Sequence, residues 1–142
     1  MKQVLLTVKE NTPLTENVYK MTLCGDCSDI TASGQFVNIK LDGLFLRRPI
    51  SVCDKDGDTL TIIYKVVGKG TEAMKELENG AVLDVLTGLG NGYDLEKSGN
   101  SPLLIGGGVG VPPMYLLAKK LIEQGKKVSV VLGFNTKSEV FY

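Results

Sequence analysis

The sequence predicts a six-stranded antiparallel β barrel followed by a partial α/β unit built on one parallel strand pair. Three observations carry that prediction. Residues 1–90 are a succession of short strand-like runs broken by turn residues, with one short helical stretch before the last run. Residues 102–134 change grammar to apolar run, glycine-rich turn, helix, apolar run, which is the pattern of a single βαβ unit. The polar stretch "EKSGNS" lies between them, giving an expected division into a barrel over 1–98 and an α/β unit over 99–142.

Each element follows from local chemistry. "KQVLLTVKEN" is β-rich, partly alternating and ends at Asn11-Thr12-Pro13. "NVYKMTLCG" and "GQFVNIKLDG" alternate apolar with polar residues, as half-buried strands do, and both close on glycine. "RRPISVCD" is short, and "DTLTIIYKVVG" follows an Asp56-Gly57 turn. In "TEAMKELENG", Thr71 is the expected helix cap, Glu72 suits the first turn, Met74 and Leu77 share a face, and Gly80 stops the helix. "AVLDVLTGLGNG" is the sixth strand. Six short strands with one helix suit a small closed barrel. "PLLIGGG" and "KKVSVVLGFN" then read as buried-type strands flanking a helix over Val111–Gln124. One βαβ unit leaves open sheet edges and uncovered faces, so this part reads as an incomplete domain and the chain as the amino-terminal piece of a longer protein.

Composition narrows the function classes. Lysine plus arginine equals aspartate plus glutamate, 16 against 16, so no charge footprint favours nucleic acid or an anionic membrane. The amino terminus has one basic residue ahead of an apolar run too short for a signal peptide, and no run approaches a membrane span. The expected location is cytoplasmic. There is no histidine, which excludes histidine-ligated metal, Ser-His-Asp chemistry and imidazole shuttling. Any catalytic chemistry then rests on something other than histidine, and a bound cofactor is the simplest candidate. Cys24, Cys27 and Cys53 are an odd set; Cys24-Gly-Asp-Cys27 has C-x-x-C spacing, but no second pair exists, and it reads as a strand end with free thiols.

Two motifs carry chemistry on their own. In Arg48-Pro49-Ile50-Ser51 the proline preorganises an extended backbone. An arginine so fixed can bind a pyrophosphate bidentately, and a serine hydroxyl can donate or accept at the polar edge of an isoalloxazine. The same residues also read as the opening of an edge strand. "GGGVGVPP" is a glycine-rich strand-to-helix turn, yet Val111 stands where G-x-G-x-x-G requires its third glycine. Gly107, Gly108, Val109, Gly110 and Val111 form the candidate nucleotide loop, with Pro112 or Pro113 starting the helix at a preset φ.

Taken in order, "RRPIS", "IYKVVGKGT", "GLGNGY" and "GGGVGVPP" resemble the ferredoxin–NADP reductase superfamily over the entire chain. The first resembles its R-x-[YF]-[ST] flavin motif, and the last its G-G-G-x-G-x-x-P pyridine-nucleotide loop. "GLGNGY" is similar to the G-P-L-G-N-G-F loop of the dihydroorotate dehydrogenase electron-transfer subunits, without the proline and with Tyr93 in place of phenylalanine. The resemblance implies an FAD-binding barrel with Arg48 on the phosphates, Ile50 and Ser51 at the flavin ring, Ile63, Tyr64 and Lys65 along it, and Gly70 and Thr71 at the pyrophosphate. It implies NAD(H) at residues 107–111. It further implies a flavin-dependent oxidoreductase subunit that passes electrons to a catalytic partner, dihydroorotate dehydrogenase of pyrimidine synthesis, in a hetero-oligomer; this piece alone is expected to be inactive. Members hold a 2Fe–2S cluster through cysteines near their carboxyl end, and Cys24, Cys27 and Cys53 match that group in neither position nor spacing. The alternatives are a related reductase subunit (sulfide dehydrogenase, NADH-dependent ferredoxin–NADP oxidoreductase or hydrogenase-associated) and a non-redox barrel that binds a partner.

Overall fold

Alternation closes the first six strands on themselves. In the computed structural model, which describes residues 1–142, these are β1 (Lys2–Pro13), β2 (Val18–Cys24), β3 (Phe36–Ile39), β4 (Arg48–Asp56), β5 (Thr59–Lys65) and β6 (Val82–Leu89). Every second residue points inward. Leu6, Val8, Met21, Leu23, Val37, Ile39, Leu60, Ile62, Leu83 and Val85 all join one buried cluster. The strands follow the order β1-β2-β5-β4-β3-β6, and β1 pairs β6 from Lys2↔Thr87 to Thr7↔Val82 to close the barrel. Closure gives every strand a partner on both sides over at least part of its length. Bulges at Val8/Glu10 and Val52/Asp54 bend β1 and β4 around the curve.

Helix α1 (Lys69–Lys75) crosses the barrel end between β5 and β6, with Met74 fully buried. It begins three residues earlier than the sequence predicts. Gly68 takes the cap position in extended conformation, and Thr71 lies inside the first turn. The Thr71 hydroxyl accepts from the Val67 N–H at 2.8 Å and the Gly68 N–H at 3.1 Å, so it caps by reaching back.

The second unit comprises β7 (Leu103–Gly107), α2 (Pro112–Glu123) and β8 (Ser129–Gly133), with β7 and β8 parallel from Leu103↔Ser129 to Gly107↔Gly133. Helix α2 falls one residue short of the expected span at each end, with Val111 and Gln124 as its caps. Its Leu117 and Leu121 pack on Leu104, while Leu116 reaches the barrel cluster. Two further contacts join the units. Lys119 pairs with Asp54 of β4 at 3.1 Å, and Val18, Cys53, Ile63, Val111 and Phe141 form a shared apolar cluster. No helix is long and apolar enough to cross a membrane.

Candidate functional site

The structure separates two arginines that the sequence presents as equals. Arg47 is consumed by the barrel: it donates to the Asp84 carboxylate at 3.0 Å, to the Asp84 carbonyl at 3.1 Å and to the Asn38 carbonyl at 3.3 Å. Burial opposes ionisation of Asp84, but the bonds from Arg47 and Gln3 outweigh it and hold the carboxyl below the usual carboxylate range. Arg48 has no carboxylate partner. Its guanidinium donates only to the Leu46 carbonyl and lies against Gly70 of α1. A Cβ on Gly70 would stand 2.6 Å from Arg48 Cζ and 2.8 Å from Cδ, so the guanidinium occupies the space a side chain would need. An unpaired cation therefore meets the amino-terminal turn of a helix, where backbone amides lack intrahelical acceptors.

Beside this contact the barrel wall is split. The β4–β5 ladder runs from Asp56↔Thr59 to Val52↔Ile62 and stops there. In continued register Ser51 would meet Ile63 and Ile50 would meet Tyr64. Instead Arg48–Ser51 pairs only with β3, and Ile63–Lys65 only with β2. The two predicted segments thus face each other across an open seam. Pro49 and Ser51 are exposed on it, and Ile50 is half-buried against the core. Pleating puts Arg48 and Ser51, three positions apart, on opposite faces of β4.

Tyr64 does not present its ring to that seam. It is 1% exposed, stacks on Tyr19 with centroids 5.9 Å apart, and donates its hydroxyl to Asn11 Oδ1 at 2.8 Å. Burial pushes the phenol's pKa well up, against the pull of the Asn11 bond. Ile63 faces the other way, into the cluster shared with the second unit, and Lys65 is exposed. What Ile63–Lys65 leaves to a ligand is chiefly its backbone edge.

The glycine loop forms one wall of a crevice of about 730 Å³ between the barrel and the second unit. Gly107, Gly108 and Val109 line it at the carboxyl ends of the parallel strands, where open α/β sheets take their ligands. The opposite wall includes Val18 and Lys65, and Gly133–Thr136 extends the first wall beyond β8. Val111 is buried between the units and anchors the loop rather than lining the crevice. Helix α2 offers no free amide in its first three residues. Its first two residues are prolines, the Val111 N–H bonds the Gly108 carbonyl and the Met114 N–H bonds the Val111 carbonyl. The donors left at this turn belong to the Gly107–Gly110 loop itself.

"GLGNGY" has its own structural reason. Gly88, Gly90 and Gly92 take φ of 71°, 85° and 77°, and a Cβ on Gly92 would stand 2.6 Å from that of Ala32. The loop folds tightly over residues 29–35. The cysteines do not fit a 2Fe–2S cluster. Cys27 lies in the barrel core and Cys53 in the cluster shared with the second unit, and burial raises both thiol pKa values. No three metal-ligating side chains come together.

No protein-family model matches the chain. Curated relatives 40–47% identical over all or nearly all of it are named dihydroorotate dehydrogenase B (NAD(+)), electron transfer subunit. The one from Bacillus pumilus is 44% identical over 100% of this chain and 58% of its own length. Among solved structures, the NADH-dependent reduced ferredoxin–NADP oxidoreductase superposes with a TM-score of 0.88 at 31% identity, over 98% of this chain and 51% of that one. The chain has the ferredoxin–NADP reductase-like fold. Flavohemoglobin from Malassezia yamatoensis, solved with bound FAD and heme, superposes with a TM-score of 0.81 at 25% identity, over 98% of this chain and 40% of its own. The chain therefore spans little more than half the length of the curated relatives it matches.

Proposed function

We propose that residues 1–98 bind FAD and that residues 99–142 supply the first part of an NAD(H) site. The protein would pass reducing equivalents between NAD(H) and a catalytic partner, dihydroorotate dehydrogenase, in the cytoplasm. The observation that carries this reading is the contact of Arg48, a cation without a carboxylate, with Gly70 beside the open β4–β5 seam. A cation without a carboxylate, held at a helical turn whose amides lack acceptors, fits a group carrying phosphate. The names of the curated relatives support the partner and the FAD-bearing flavohemoglobin supports the cofactor.

FAD, when bound, supplies electron-pair exchange with NAD(H) and single-electron exchange with the next carrier. The chain's own residues bind, orient and exclude water. Arg48 would neutralise the pyrophosphate, and the amides of Gly70 and Thr71 would add donors at the same point. The Thr71 hydroxyl is already used within the turn, so its part is structural. Pro49, Ile50 and Ser51 on one side of the seam, and Ile63, Tyr64 and Lys65 on the other, would hold the ring through backbone groups and the Ser51 hydroxyl. Gly107, Gly108, Val109 and Gly110 take the pyridine nucleotide into the crevice, and Val111 fixes the loop to the barrel. With no histidine in the chain, no imidazole proton transfer enters this scheme.

Arg48→Ala tests it against Arg47→Ala. The first should strip FAD from the protein during gel filtration while leaving the fold intact; the second should lower stability more than FAD retention. Retention of FAD unchanged by Arg48→Ala would overturn the assignment, as would a wild-type protein that takes up no flavin, the behaviour of a non-redox barrel.

A further inference from the structure

We infer that Asn11 is a positioning residue for the phosphate cradle; the inference rests on the FAD reading above. Helix α1 has seven residues, too few to hold its own shape or direction in water. Its amino-terminal turn must nevertheless keep Gly70 against Arg48. At the other end Met74 packs into the barrel core, and one polar side chain ties down the carbonyls beside it. Asn11, half-buried on β1, donates its Nδ2 group to the carbonyls of Met74 at 2.9 Å, Leu77 at 3.0 Å and, more weakly, Lys75 at 3.3 Å.

Those carbonyls belong to the carboxyl end of α1 and the turn after it, where the Met74 carbonyl also accepts the Leu77 N–H at 3.1 Å. Met74 sits fully buried directly beside them. The Asn11 Oδ1 accepts the Tyr64 hydroxyl at 2.8 Å, and Tyr64 belongs to the strand that flanks the seam. Both ends of the Asn11 amide are thereby assigned: only an NH₂ group can serve three carbonyls, so the oxygen must face Tyr64. The amide ties β1, β5 and the end of α1 into one unit. Gly70 stands four residues before Met74, about 6 Å along the axis at 1.5 Å per residue. A tilt at the anchored end moves the glycine off the guanidinium.

The two halves of the amide have separable consequences. Asn11→Ala removes the anchor of α1, whereas Tyr64→Phe leaves the three carbonyl bonds in place and removes only the bond on the Oδ1 side. Affinities for FAD and for riboflavin, which lacks the pyrophosphate, should be measured on folded protein well below each variant's melting temperature. Asn11→Ala is expected to weaken FAD on the order of tenfold or more while riboflavin stays near wild type, since a small displacement of a positioned group is costly. Tyr64→Phe should lower stability with little change in the FAD-to-riboflavin ratio. If Asn11→Ala does not fold, Asn11→Ser serves in its place. Equal losses for FAD and riboflavin, or equal effects of the two variants on the ratio, would overturn the assignment of Asn11. A wild type that binds neither ligand would instead overturn the FAD reading itself.

Discussion

Gly70→Ala separates ligand affinity from stability, because the new methyl group lands on a side chain that can move. A Cβ there would stand 2.6 Å from Arg48 Cζ and closer still to Nε, well inside van der Waals contact. The protein can relieve this by swinging the guanidinium away, at a rotamer cost of about 1 kcal/mol. Alanine also gains about 0.8–1 kcal/mol over glycine inside a helix. The two effects nearly cancel, so the melting temperature should hardly change. Binding should respond differently. A charge-assisted bond is worth about 1.5–3 kcal/mol, and losing Arg48 from the phosphate should weaken FAD by about 10- to 150-fold, at 1.4 kcal/mol per tenfold. Fluorescence titration with FAD, alongside thermal unfolding, reads both quantities. In an Arg48→Ala background the glycine substitution should add little further loss, since the group it displaces is gone. Wild-type affinity in Gly70→Ala would refute the cradle, and so would a full additional loss in the double variant.

Two further predictions concern other parts of the molecule. Gly106→Ala should cost about 1–3 kcal/mol by overpacking, because its Cβ would meet the Gly110 carbonyl at 2.9 Å and Val111 Cα at 3.1 Å; Gly110→Ala, with nothing within 4 Å, should leave unfolding unchanged and weaken NAD(H) in an equilibrium titration. The Arg47–Asp84 pair should shape acid stability. Asp84 ionises more readily folded than unfolded, so its contribution, about 1 kcal/mol for a partly exposed pair, is fully present above the ordinary carboxylate pKa and is lost as pH falls through the lower folded value. Chemical unfolding across that acid range should be flatter in Asp84→Asn than in wild type.

Most of the fold was legible because alternation and turn chemistry are local. The six strands, the short helix and the βαβ unit all stand where the sequence puts them, although α1 ends at Lys75 rather than running on to Gly80. Strand order was not legible, since periodicity names a strand's inner face and not its neighbours. Tyr64 shows where face assignment itself fails. Ile62, Ile63 and Tyr64 are all buried, with Ile63 facing the second unit and the other two joining the barrel core, so no polar residue marks the parity. The start of α1 was misplaced because Thr71 caps from within the first turn and leaves the cap position to glycine. The choice between Arg47 and Arg48 required Asp84, and the role of Asn11 required carbonyls some sixty residues away. Both are tertiary facts. The crevice wall at Gly133–Thr136 had a weaker signal, the end of a strand parallel to the one that feeds the glycine loop.

Calorimetric titration of the purified chain with FAD tests the central claim most directly. The account predicts saturable binding of one FAD per chain, abolished or strongly weakened in Arg48→Ala and preserved in Gly110→Ala. Absence of FAD binding by the folded wild-type chain, or binding indifferent to Arg48, would contradict it.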